Sequence, residues 1–315
     1  TSMSYDALVR MTSRVEPEGT TTWTYDSAVN GKGKLASVSA PGGYSESYTY
    51  DSQGRPTAVT RTIDSSSYTI GQTYDTYSRP QKTVYPTGFQ TKNVYNAFGF
   101  VKEVRRADGT TNELFWRADS YAVDGRINGE TYGNGVTNDR VYDKATGRLT
   151  GAGVGLESGT EVQFLTYTYD QIGNVLTRND SAISRSETFV YDTLDRLTSH
   201  ALSGGATVTV TYDEKGNITN KSDVGAYTYD SARPQAVIQA GSNTYTYDNN
   251  GNMTAGAGRS ITWTSFNQVK TITQGSFNAT FSFGAAHERV KQVAHNGTTL
   301  YVGGLWEKFT GSGGL

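Results

Sequence analysis

Thr166-Tyr167-Thr168-Tyr169-Asp170-Gln171-Ile172-Gly173-Asn174-Val175-Leu176-Thr177 is the stretch that decides the fold class of this chain. Its first four residues alternate with period two, which sets Tyr167 and Tyr169 on one face of a strand and the threonines on the other. Asp170 then stands at the first turn position, where its carboxylate can accept backbone N–H groups, and Gly173 falls where a left-handed residue closes a bulged hairpin. The return strand opens on a polar residue and continues as Val175-Leu176-Thr177.

The same order recurs in Tyr50-Asp51-Ser52-Gln53-Gly54-Arg55, Tyr191-Asp192-Thr193-Leu194-Asp195-Arg196 and Tyr212-Asp213-Glu214-Lys215-Gly216-Asn217. The dipeptide itself occurs ten times, as Tyr5-Asp6, Tyr25-Asp26, Tyr50-Asp51, Tyr74-Asp75, Tyr142-Asp143, Tyr169-Asp170, Tyr191-Asp192, Tyr212-Asp213, Tyr229-Asp230 and Tyr247-Asp248. Weaker copies fall at Tyr95-Asn96, Trp116-Arg117, Phe266-Asn267 and Phe283-Gly284. A period of about 21 residues marks an array of supersecondary units, none of which can bury its apolar face alone.

Composition agrees with strands. The chain has 315 residues, 35% of them hydrophobic, with 36 Gly and 22 Tyr. This is close to a globular average, enriched in residues that suit a pleated surface. An all-β fold is expected: antiparallel hairpin repeats in one continuous, spiralling sheet, with residues 1–310 holding about 14 hairpin units and 311–315 a Gly-rich tail. Roughly 28 strands at about 4.8 Å would make a flat sheet on the order of 130 Å long, and native twist coils or splits such a sheet. The end strands are expected to be open edges, able to pair with flanking repeats or with a second copy.

Several function classes are disfavoured. A net charge of -2 without long charge runs points to neither nucleic acid nor an anionic membrane. No run of about 18 apolar residues is present to span a membrane as a helix. Cys is absent, which removes thiolate metal sites and disulfides.

His200, His287 and His295 have no zinc-binding spacing, and the surroundings of His287 and His295 read as surface loops. Asp248-Asn249-Asn250-Gly251-Asn252 resembles part of a calcium loop but has no bidentate Glu at the required place. Gly151-Ala152-Gly153-Val154-Gly155 has no helix behind it for a dinucleotide and reads as a long turn. No Gly-x-Ser-x-Gly elbow occurs. The repeated aspartates read as turn caps rather than catalytic or metal-binding carboxylates. No catalytic residue, cofactor or metal is expected. An exposed ladder of Tyr48, Tyr50, Tyr167, Tyr169, Tyr245 and Tyr247 could stack on sugar rings, so glycan binding stands as the alternative to stacking between hairpins.

The pattern Tyr-Asp-x-x-Gly-Arg/Asn-aliphatic-Thr resembles the YD-repeat, or RHS-repeat, proteins. Tyr132-Gly133-Asn134-Gly135-Val136, followed by Thr146-Gly147-Arg148-Leu149, resembles a phrase of RHS proteins and of the B/C components of bacterial toxin complexes. Leu300-Tyr301-Val302-Gly303-Gly304-Leu305-Trp306-Glu307-Lys308 is similar to the segment after the last repeats of many RHS cores. The resemblance implies a β-ribbon that spirals into a hollow shell around a toxic C-terminal domain in bacterial members, and a related shell used for adhesion in teneurins. The cleavage region and variable C-terminal domain of complete members have no counterpart here, so self-cleavage is not carried over, and an open spiral is expected of a chain this long. The expected function is structural: part of a shell around a toxin or other polypeptide cargo in a secreted or cell-surface bacterial protein. Cell-surface adhesion or glycan binding is the alternative.

Overall fold

The computed structural model describes residues 1–159 and 161–312. Within them the chain is all-β, with thirty strands and a single 3-10 turn at Pro41–Gly43. Strands pair antiparallel with their sequence neighbours in one open sheet. Glu161–Tyr169 bonds to Leu149–Leu156 on one side and to Val175–Asp180 on the other. No described helix is long and apolar enough to cross a membrane.

The hairpin geometry follows from the repeat residues. Register slips by one residue between Thr168 and Tyr169, and the same slip recurs at Tyr25, Tyr50, Tyr74, Tyr142, Tyr191, Tyr212, Tyr229 and Tyr247. In the short-loop units these are bulges made where a type I turn is followed by one left-handed residue, whereas the longer loop from Asp230 to Ala236 has no residue with positive φ. Gly54, Gly173, Gly216 and Gly251 take that position with positive φ. Val9, Ser78, Asp195, Asn267 and His287 hold it with φ between 59° and 64° in units that lack the glycine. On the face opposite the tyrosines, threonine hydroxyls pair across strands, as in Thr168–Thr177 at 2.7 Å and Thr211–Thr219 at 2.7 Å.

Two compact units form. The first joins residues 1–91 to 245–315, and the second comprises 92–244. The first unit owns the principal apolar cluster: Val38, Ala40, Tyr44, Ile63 and Tyr68 from early strands meet Ala285, Val290, Leu300 and Val302 from late ones. No hydrogen-bonded ladder joins those two segments among the described residues, so side chains make this junction. Val302 is fully buried, and Trp306 packs its ring 5.3 Å from that of Tyr68. Hairpin neighbours thus supply the backbone bonds, while residues more than 200 positions apart supply this core.

Three local expectations are corrected. The segment Gly151–Gly155 is not a turn but lies inside the strand Leu149–Leu156. Its glycines fit because a β-carbon on Gly153 would lie 3.2 Å from the Phe164 ring across the ladder. Trp116 and Phe266 do not end strands. Trp116 sits within Leu114–Tyr121, whose last residue takes the strand-ending role, and Phe266 lies in a turn after the strand Arg259–Trp263. At the chain end, Gly311 closes the strand Trp306–Gly311, and Gly313, Gly314 and Leu315 lie outside the described residues.

Candidate structural site: the repeated aspartate clamp

The hairpin around Asp170 displays the whole device. Asp170 Oδ1 accepts the backbone N–H groups of Ile172, Gly173 and Asn174 at 3.0, 2.7 and 2.9 Å. The Asn174 amide returns a bond from Nδ2 to Asp170 Oδ2 at 2.9 Å and another to Asp195 Oδ1 of the next hairpin at 3.1 Å. From the preceding hairpin, Arg148 donates to the carbonyls of Asp170 and Gln171 at 2.8 and 3.0 Å. The Tyr169 hydroxyl reaches back to the Leu149 carbonyl at 2.6 Å. One carboxylate organises its own turn, and flanking side chains tie that turn to both neighbours.

The other repeats vary the parts. Asp6, Asp51, Asp75 and Asp192 each take two turn N–H groups on Oδ1, from Leu8 and Arg10, Gln53 and Arg55, Tyr77 and Arg79, and Leu194 and Arg196. In each, the arginine that opens the return strand bonds through Nε to Oδ2 at 2.7 Å. Asp213 and Asp248 use Asn217 and Asn252 in that role, at 3.1 and 3.0 Å. Asp143 binds Ala145 and Thr146, Asp230 binds Ala232 and Arg233, and Asp26 takes the Gly33 N–H across a longer loop while pairing with Arg10.

These carboxylates are held ionised. In Asp6, Asp51 and Asp230 the backbone donors of the turn lead in lowering the carboxyl below its usual range. In Asp143 and Asp192 the side chains of Thr146 and Arg196 lead. In Asp75, Asp170 and Asp213 partial burial pushes upward and is outweighed by the hydrogen bonds. Asp26 falls to about 2, chiefly through its bond from Arg10. Carboxylates saturated with N–H donors and locked in the charged form are acceptors, poorly suited to exchanging protons near neutral pH.

The tyrosines act as struts. At least seven of the ten Tyr-Asp tyrosines donate a hydroxyl bond to the first carbonyl of the preceding return strand: Tyr25 to Met11, Tyr50 to Leu35, Tyr74 to Pro56, Tyr169 to Leu149, Tyr191 to Val175, Tyr212 to Leu197 and Tyr229 to Ile218. Tyr5 instead bonds the Met3 sulfur, and Tyr142 carries the Arg126 guanidinium 4.0 Å above its ring. Arg10, Arg55 and Arg196 cover Tyr25, Tyr74 and Tyr212 in the same way, at 4.5, 4.5 and 4.7 Å. The ladder of Tyr48, Tyr50, Tyr167, Tyr169, Tyr245 and Tyr247 is half-buried throughout rather than exposed.

Sequence reasoning missed two members and one cluster. Trp263 replaces a strut tyrosine, its indole N–H bonding the Met253 carbonyl at 2.8 Å, and Thr264 replaces the aspartate by taking the Gln268 N–H on its hydroxyl. The alternation Ile261-Thr262-Trp263 was the available signal. Tyr121 bonds the Val101 carbonyl likewise. The cluster lies in the first unit, where Glu46 accepts bonds from the Tyr44 hydroxyl at 2.5 Å, from the Tyr48 hydroxyl and from Arg61 at 3.0 Å. Tyr44 also lies 3.1 Å from Glu288, 244 residues away in sequence. Burial first, and Glu46 second, push the Tyr44 and Tyr48 phenols well above their ordinary range.

The histidines do not converge. His200 faces Phe189 across a strand pair, and His295 packs edge-on to Phe277. His287 does lie in a turn but is half-buried rather than a surface residue: it stacks flat on Phe266 at 3.7 Å and sits 3.1 Å from Glu16. Asp248, in the loop resembling a calcium site, spends its oxygens on Asn250 and Asn252, and no cluster of metal-ligating side chains occurs among the described residues.

A ladder of bulged hairpins, each clamped by an aspartate and strutted to the one before, defines a structural repeat protein. The RHS Repeat family profile matches residues 29–62. Toxin subunit YenC1 of Yersinia entomophaga is 34% identical over 121 residues, 33% of this chain and 12% of that protein. Among solved structures, a Photorhabdus luminescens Tc holotoxin pore matches 95% of this chain with a TM-score of 0.66 at 16% identity, and TcdB2-TccC3 matches 95% at 0.66 and 15%. The chain spans 20% of each of those chains. Residues 29–62 thus carry an RHS repeat, and 95% of the chain has the fold of a segment of these toxin-complex proteins.

Proposed function

We propose that this chain forms part of the wall of a hollow RHS shell that encloses a polypeptide cargo, a toxin in the first instance, in a secreted or cell-surface bacterial protein. The observation that carries this reading is the likeness of 95% of the chain to a segment of TcdB2-TccC3. The clamps suit a wall. They use backbone-directed bonds repeated from turn to turn, so stiffness accumulates along the sheet. The role is mechanical, without catalysis or a cofactor.

On this reading the strands Ser2–Tyr5 and Trp306–Gly311 are the edges to which flanking repeats bond, and two copies of the isolated chain can pair there. Electron microscopy of a longer protein containing this chain tests the proposal. A closed shell with internal density supports it, and an open rod with nothing enclosed overturns it. Light scattering over a concentration series tests the edges, since a strictly monomeric chain would show them to be covered.

A further inference from the structure

Among the described residues, the one buried side-chain polar atom without a hydrogen-bond partner is Asn128 Oδ1. An orphan of this kind is expensive, and native structures keep few of them. Asn128 lines a cleft of about 420 Å³ in the second unit, between the turns that follow Tyr121 and Tyr142. The lip of that cleft is apolar and open. Val123 is 110% exposed and Val141 56%, and one hairpin away Phe98 is 86% exposed, while the Phe100 ring lies 6.5 Å from that of Tyr121.

The charges around the cleft are largely neutralised. Arg126 pairs with Asp124 at 2.6 Å and Arg140 with Glu130 at 2.8 Å, and the Asp143 carboxylate, bonded within its own turn, is offset by the Lys144 ammonium on the same lining. A charged ligand would therefore find little net field. A sugar needs an open aromatic face, and of the two rings on the lining Tyr142 is covered by Arg126 at 4.0 Å while Tyr121 has the Phe100 ring 6.5 Å away. What remains is an acceptor needing a donor, set below uncharged side chains in want of cover.

We propose that this cleft binds an apolar peptide segment, seating an aromatic or aliphatic side chain against Val123 and Val141 while a peptide N–H donates to Asn128 Oδ1. This rests on the cargo reading and deepens it by naming what the wall would grip, but its test uses the isolated chain, so its failure leaves the wall assignment standing.

The probe is N-acetyl-L-phenylalaninamide, titrated into the isotopically labelled chain and followed by NMR. Saturable shifts are expected at the Asn128 side-chain amide and at the backbone amides of Val123 and Val141. Asn128→Leu should weaken binding at least tenfold while raising the melting temperature, because it removes the orphan. A merely structural residue would not separate those readouts. Val123→Asp lies on a fully exposed turn and should weaken binding without affecting the fold. The proposal is overturned by the absence of saturable shifts, by equal shifts with N-acetylglucosamine or acetate, or by unchanged binding in Asn128→Leu.

Discussion

Replacing Glu46 by Ala should destabilise the first unit through a buried charge left unpaired. Glu46 is 9% exposed and accepts from two tyrosine hydroxyls and from Arg61, whose side chain is 18% exposed. Alanine leaves the guanidinium partly buried without its counter-charge and strands the Tyr48 hydroxyl, while the Tyr44 hydroxyl keeps its 3.1 Å bond to Glu288, against a gain of side-chain entropy that is small for so constrained a residue. Removing one partner of a buried pair costs about 3–5 kcal/mol, and the residual exposure of Arg61 points to the lower end, near 3 kcal/mol. Glu46→Gln keeps the shape and loses the charge, and should cost about 1.5–3 kcal/mol. Adding Arg61→Met to Glu46→Ala removes the stranded charge and should recover about 1 kcal/mol or more. Urea unfolding followed by tryptophan fluorescence reads this directly, since Trp23 and Trp306 pack against the same core. A cost below about 1 kcal/mol for Glu46→Ala, or no recovery in the double variant, would refute the idea that this buried charge secures the early side of the junction.

Acid should dismantle the clamps together. The aspartates have folded-state values below the unfolded value of about 3.9, so their stabilisation is complete above that pH and is lost as pH falls through the folded values, which reach about 2 at Asp26. Circular dichroism against pH in 0.15 M salt should show a cooperative loss between about pH 4 and pH 2, and a fold unchanged down to pH 2 would contradict the clamp as a stabilising element. Tyr169→Phe removes the 2.6 Å bond to the Leu149 carbonyl and should cost about 0.5–1.5 kcal/mol by urea titration, while Trp263→Phe should cost a similar amount through the lost indole bond. Val9→Gly should stabilise by about 1 kcal/mol, because a β-branched residue is strained at φ 60° and this side chain is exposed; a loss of stability would mean that Val9 makes a contact outweighing its strain. Gly284→Ala should destabilise the first unit, since the added carbon would lie 2.0 Å from Glu288 Oε1, and a melting curve identical to the parent would show that Glu288 swings away at no cost.

The amino-acid sequence by itself determined the hairpin. Alternating Thr and Tyr, an aspartate at the strand end and a glycine three residues later are local instructions, and each is carried out within a dozen residues by bonds that need no distant partner. Where the glycine was missing, as at Val9 or His287, or where Trp263 stood for tyrosine, the pattern was harder to read because turn geometry tolerates several chemistries. Gly151–Gly155 misled for the opposite reason: glycines usually break strands, and only cross-strand neighbours, the Phe164 ring at Gly153 and Val141 at Gly151, explain the place of those two within one. The acceptors of the tyrosine hydroxyls were not legible either, since they are backbone carbonyls that any residue can offer. Tertiary structure alone decided the junction of the first unit. Tyr44 and Glu288 are 244 residues apart, and their meeting rests on close packing of side chains from strands that share no ladder, which no local motif encodes.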